Sequence, residues 1–148
     1  MNSKQKNSLE YSKPQLEQFE DNTILEVLPQ KTDEADSSKY ILIKHDYYYS
    51  DSDHGREMLK DFLSVLCDAS YENIIIYLAD MGTKLLDEAC PLYEDMLALI
   101  NRSELIIADK DSIDLYKVNL KDNPKITIRS MLSISEELIY LPGILVLE

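Results

Sequence analysis

Asn73-Ile74-Ile75-Ile76-Tyr77-Leu78 is a run of β-branched, aliphatic and aromatic residues without polar alternation. A strand with one wet face alternates apolar and polar side chains. An unbroken apolar run instead predicts a strand buried on both faces, as in a parallel sheet. The polar turn Asp80-Met81-Gly82-Thr83 follows it. On the N-terminal side, Tyr40-Ile41-Leu42-Ile43-Lys44 is a second β-rich run, and Leu105 to Ala108, Lys125 to Ile128 and Gly143 to Leu147 supply three more. Helical periodicity fills the gaps between them. Met58, Leu59, Phe62, Leu63 and Leu66 predict a helix over about 53–69, with Asp51, Ser52 or Asp53 as its N-cap. Leu85-Leu86 predicts the start of a short helix. Pro91 suits the first turn of another, which carries Leu92, Met96, Leu99 and Ile100. Further helices are expected over about 112–118 and 130–139.

Strands alternating with helices form βαβ units, with parallel pairing and right-handed crossovers. The expected fold class is therefore α/β: a three-layer α/β/α sandwich around a mainly parallel five-stranded sheet. Such sheets bind ligands at the carboxyl ends of their strands. Here those ends are His45-Asp46, Asp80-Met81-Gly82 and Asp109 to Ser112.

The chain divides near residue 39. Residues 1–39 are polar, with 5 basic and 8 acidic residues, and read as a largely disordered N-terminal extension or linker. Within them, Ile24, Leu25, Val27 and Leu28 between Pro14 and Pro29 suggest a short strand or docking segment over 23–28, and Thr32 to Lys39 reads as linker. The α/β domain spans 40–148.

The 148 residues carry 28 acidic and 15 basic side chains, a net charge of −13. That surface repels a phosphate backbone and an anionic membrane, so neither nucleic acid nor membrane is an expected partner. No apolar run reaches the length of a membrane span, and the N-terminus lacks the apolar segment of a secretory signal. Two cysteines, Cys67 and Cys90, form no metal or redox motif and read as free thiols. The expected location is cytoplasmic.

The strand-end loops constrain the chemistry. With three glycines, Gly55, Gly82 and Gly143, the chain has no phosphate-binding fingerprint. A phosphoacceptor receiver domain needs an acidic pair after the first strand, an aspartate after the third and a lysine after the fifth. Asp46, Asp80 and Lys110 fall in the wrong order. His45 and His54 have no partners for a metal site, and neither a metal nor a cofactor is expected. Cys90, just before Pro91, would have its thiolate favoured by a helix dipole, but a small side chain packed before a helix is the commoner outcome. Three consecutive tyrosines, Tyr47 to Tyr49, cannot all be buried in one loop.

The segments KYILIKHD, GREMLKDFL, NIIIYLADMGTKLLDE, PLYEDMLALI and SELIIADKDSIDLYK together resemble a DsrE-like domain. They resemble most the C-terminal domain of YedF-type sulfurtransferase-like selenium metabolism proteins, over about 40–148. Lys44-His45-Asp46 is similar to that family's Lys-Ser-Asp strand end. Gly82-Thr83-Lys84-Leu85 is similar to its Gly-Val-Lys-Leu turn, and Pro91 to Met96 to its Pro-x-x-Glu-Asp-Leu helix start. The resemblance implies the same five-stranded sandwich, a place in sulfur relay or selenium metabolism, and homo- or hetero-oligomers with other sulfur-relay proteins.

One departure bears on activity. The family's Cys-Gly-Thr-Cys-Leu-Asp, whose last cysteine would carry the sulfur, falls on Asp109-Lys110-Asp111-Ser112-Ile113-Asp114. Serine cannot hold a persulfide, and Asp111 would raise the pKa of any thiol beside it. The expectation is a DsrE-like accessory or binding subunit without sulfurtransferase activity. Two alternatives remain: sulfur transfer through Cys90, or an enzyme of different chemistry at the strand-end loops, with Asp46, Asp80, Lys84, Lys110 and Ser112 as its candidate groups. Asp46, Asp80, Gly82, Lys84, Asp109 and Asp111 are the candidate ligand-binding residues.

Overall fold

The computed structural model describes residues 37–148; the readings made of residues 1–36 lie outside the described residues. The elements follow in the order β1 (Ser38–Ile43), α1 (Asp53–Asp68), β2 (Asn73–Leu78), a 3-10 helix (Asp80–Leu86), α2 (Tyr93–Arg102), β3 (Leu105–Asp109), α3 (Lys110–Leu115), β4 (Ile126–Arg129), α4 (Met131–Leu138) and β5 (Leu145–Leu147). Among the described residues one sheet holds all five strands in the order β4-β3-β2-β1-β5, and every pairing is parallel.

β2 lies at the centre, which accounts for its unbroken apolar sequence. Ile74, Ile76 and Leu78 point into one core, while Ile75 and Tyr77 point into the other. The steps from β1 to β4 all run the same way across the sheet, so right-handed connections place α1, α2 and α3 on one face. The return from β4 to β5 crosses the whole sheet and puts α4 on the opposite face. The two cores are unequal. Among the described residues the first holds seventeen buried apolar side chains, from Ile41 to Leu147, and the second has three, Tyr77, Ile107 and Ile134. At about 1.5–3 kcal/mol per large aliphatic side chain, the first core supplies most of the hydrophobic stabilisation.

Several boundaries differ from the sequence-based expectations. β1 starts at Ser38, inside the segment read as linker, because Ser38 and Lys39 pair with Asn73 and Ile74 in the parallel ladder. Ser52 is the α1 cap, accepting from the Gly55 N–H at 3.0 Å. Leu85-Leu86 ends a 3-10 helix rather than starting a helix. α2 begins at Tyr93, because a turn closed by Tyr93 N–H to the Cys90 carbonyl holds Pro91 outside it. α3 starts at Lys110, capped by Asp109.

Tyr77 in the smaller core makes that face sensitive to alkali. Burial, with the neighbouring Glu137 carboxylate and its hydrogen bond, pushes the Tyr77 hydroxyl up from 10.0 to about 12. The folded state thus favours the protonated phenol. Its contribution is full below pH 10 and is lost as pH rises from 10 towards about 12. Melting temperature should fall across that window, and a Tyr77→Phe variant should show a shallower fall.

Candidate functional site

Three strand ends meet at one edge of the sheet. β3 ends at Asp109, which also caps α3: its Oδ2 accepts from the Ser112 N–H at 3.0 Å and from the Ser112 hydroxyl at 2.6 Å. The same hydroxyl accepts from the Asp80 N–H at 2.9 Å, so it ties the β3–α3 turn to the end of β2. Ser112 is 8% exposed and Asp109 5%. Both functions of the hydroxyl, donor and acceptor, are therefore occupied inside the protein.

Asp80 opens the 3-10 helix with φ 51°, a left-handed conformation that aspartate tolerates better than most residues. Three contacts hold it there. Besides Ser112, Thr83 Oγ1 donates to its carbonyl at 2.8 Å, and the Tyr116 hydroxyl donates to its Oδ1 at 2.6 Å. That hydrogen bond to the Asp80 carboxylate raises the Tyr116 pKa. Lys84 Nζ lies 5.6 Å from the centre of the Tyr116 ring, a cation–π distance, and 3.9 Å from Asp46 Oδ2. A continuous chain of contacts thus runs from Asp109 through Ser112, Asp80, Tyr116 and Lys84 to Asp46.

At the Asp46 end of this chain lies an open cleft of about 900 Å³ between the first turns of α1 and the turn before α2. Asp46, Lys84, Cys90 and Tyr116 line it, but Ser112, Lys110, Asp80, Gly82, Asp109 and Asp111 do not. The sequence-predicted residues therefore separate into two groups. Lys110 is exposed and pairs with Asp114 at 3.0 Å, which raises its pKa. A lysine acting as a base towards Ser112 would need the opposite shift. Asp111 is exposed in the first turn of α3. Gly82 is buried where the 3-10 helix touches the end of β1.

Cys90 is half-buried in the cleft wall. Burial pushes its thiol above the usual 9.0, the Leu92 N–H partly counteracts this, and Asp46 and Lys84 act in opposite directions. No thiolate-stabilising environment results. Cys67 is a free, partly buried thiol at the end of α1 and is likewise shifted up, mainly by burial. Among the described residues no group of three or more His, Cys, Asp or Glu side chains is arranged to hold a metal. No helix among them is long and apolar enough to cross a membrane.

The three tyrosines separate as one loop must separate them: Tyr47 stacks on His45, Tyr48 packs edge-on to Phe62, and Tyr49 is 84% exposed. Tyr116 is the site residue that sequence reasoning missed. Its signal was its position four residues after Ser112, hence on the same helical side.

No family model matches this chain, and no curated protein does. Solved structures do. A conserved protein of unknown function from Bacteroides thetaiotaomicron is 21% identical with a TM-score of 0.52, covering 74% of this chain and 95% of that one. The ychN protein from E. coli is 11% identical with a TM-score of 0.52, covering 74% and 98%. A protein of unknown function from Methanobacterium thermoautotrophicum is 12% identical with a TM-score of 0.52, covering 74% and 97%. At these identities the likeness is one of architecture: the chain has the α/β fold of these three proteins, with an all-parallel five-stranded sheet.

Proposed function

We propose that this chain is a DsrE-like protein of the sulfur-relay and selenium-metabolism type that carries no sulfur itself and acts as an accessory or binding subunit. Its partners would be sulfur-relay proteins that keep their cysteine, in a homo- or hetero-oligomer. One observation carries the reading. The Ser112 hydroxyl, at the position matching the family's sulfur-carrying cysteine, is buried, bonded to both Asp109 and Asp80, and absent from the cleft lining. A group that fastens two strand ends together is in no position to exchange atoms with a substrate. The fold shared with the three solved structures is the one the resemblance implies.

Cys90 supports a second reading, because its thiol faces the cleft beside Lys84. As a carrier, its thiolate would attack the outer sulfur of a donor persulfide, and the donor would leave as a thiolate. The upward shift of its pKa works against that step at neutral pH. Intact mass after incubation with a persulfide donor, with and without reductant, separates the two readings. The expected result is no reductant-reversible gain of sulfur. A gain of one sulfur mapped to Cys90 would replace the accessory reading with the carrier reading.

The same shift predicts the reactivity of the thiol. Iodoacetamide labelling of Cys90, followed by peptide mapping, should be slower at pH 7 than for free cysteine and should still be rising above pH 9.0. A plateau near neutral pH would show a stabilised thiolate.

A further inference from the structure

Asp46 is the least satisfied charged group at the cleft. It is 7% exposed, and its Oδ1 is buried without a hydrogen-bond partner. Its Oδ2 meets Lys84 only at 3.9 Å, the outer edge of an ion pair, while that ammonium also faces the Tyr116 ring and the Lys84 side chain is 39% exposed. An ionised carboxylate offers about four acceptor positions, and leaving them unpaired in a buried site is costly. The cleft floor thus calls for a group that brings positive charge together with N–H donors.

Acids outnumber bases in the lining: Asp46, Asp53, Glu57, Asp87 and Asp95 against Arg56, Lys60 and Lys84. Asp53 and Glu57 lie one turn apart on α1, and Asp95 faces them from α2. None of the three forms an ion pair among the described residues. Of the lining cations, Arg56 is already engaged by Asp51 at 2.6 Å, Lys84 lies between Asp46 and the Tyr116 ring, and Lys60 is exposed on α1. The acids of α1 extend over roughly 6 Å of helix, at 1.5 Å per residue, which is longer than a single amine. At about 900 Å³, the cleft has room for an extended stretch of chain. The net charge of −13 would speed the approach of a basic partner from solution.

We propose that this cleft receives a basic segment of a partner protein and seats one lysine or arginine side chain on Asp46, with further positive residues along Asp53, Glu57 and Asp95. The proposal names the partner chemistry of the binding-subunit reading and rests on it. Guanidinium suits the seat better than ammonium, because its planar fork gives several N–H donors to one carboxylate. Specificity would come from Asp46, because it is the buried member, and the acids on the walls would mainly set the association rate.

The test uses the full-length chain and a fluorescent tetra-arginine peptide, followed by anisotropy at two salt concentrations. A tetra-citrulline peptide of the same shape and the small polyamine spermidine serve as competitors. Saturable binding of tetra-arginine is expected, with no competition from tetra-citrulline. Asp46→Asn should weaken it about tenfold, as loss of a buried anchor does, while Asp61→Asn, an equal charge change on exposed α1 surface outside the cleft, should change it less than about twofold. Equal losses in the two variants would show diffuse attraction and overturn the seat on Asp46. Spermidine competing as well as the peptide itself would identify a small amine as the occupant and overturn the partner segment. Absence of saturable binding would overturn both. If Asp46→Asn does not fold, Glu57→Gln combined with Asp95→Asn takes its place, and unchanged binding there would also overturn the proposal. Sulfur transfer to Cys90 in the mass experiment would instead remove the accessory reading and leave the peptide result standing, so the two failures are distinguishable.

Discussion

A Gly82→Ala variant is expected to lose about 3 kcal/mol or more of stability, the upper range for overpacking a tight site. The added methyl would sit 2.1 Å from the Ile43 carbonyl oxygen and 2.8 Å from its carbon. Both are backbone atoms at the end of β1, so no flexible side chain can move aside. The Ile43 carbonyl also accepts from the Ala79 N–H at 3.2 Å, the link between the ends of β1 and β2. Relieving the clash means separating the segments that carry Asp46 and Asp80. Stability and the cleft floor should therefore fail together, measured by denaturant midpoint and by tetra-arginine binding. Gly55 has an even closer approach, 1.8 Å to the Ser50 carbonyl oxygen. The atoms met there are again backbone, in a turn closed by Tyr48 N–H to the Gly55 carbonyl, so the same change should destabilise the protein there as well. A Gly82→Ala protein with an unchanged midpoint would show that the close contact is not rigid.

Ser112→Ala should cost about 1–3 kcal/mol, the usual consequence of leaving a buried donor without its acceptor. The group left behind is the Asp80 N–H, which sits on a residue already held at a positive φ. Asp109 Oδ2 would keep the Ser112 N–H but lose its shorter hydrogen bond. Ser112→Cys should not restore sulfur transfer. The new thiol would face the Asp109 carboxylate, which disfavours a thiolate, and it would lie away from the cleft lining. Both results come from one pair of experiments: denaturant titration of the alanine variant and intact mass of the cysteine variant after exposure to a persulfide donor. A stable gain of sulfur on Ser112→Cys would mean that a single residue change separates this site from a working carrier.

The elements that could be read from sequence were those with a periodic physical cause. The isoleucine run of β2 identified a central strand, because only two-sided burial removes polar alternation. The α1 spacing gave that helix to within a residue of Asp53–Asp68. Ser38 and Lys39 were missed because ladder pairing uses backbone groups and leaves no mark in side-chain hydropathy. The 3-10 helix from Asp80 to Leu86 was missed for a related reason: it is set by the approach of Gly82 to β1 and by contacts from Ser112 and Tyr116, all distant in sequence. At the site, Asp46, Lys84 and Cys90 were legible as strand-end and turn residues, and the cleft does gather them. Their separation from Ser112 and Lys110 was not legible, since it depends on the burial of Ser112 between Asp109 and Asp80 and on the outward pairing of Lys110 with Asp114.

The pairing of β5 with β1 joins distant parts of the chain. Lys44 and Glu148, bonded at 2.7 Å beside these strands, are 104 residues apart. Closing a loop of that length costs about 4 kcal/mol in chain entropy, against which β5 offers three residues on one side of one neighbour. The other strands pair with partners that follow closely in sequence. Among the described strands, β5 is therefore expected to join last and leave first. Whenever it detaches, the outer edge of β1 presents unpaired amides and carbonyls next to the turn that carries Asp46, so the shortest strand among the described residues borders the candidate site.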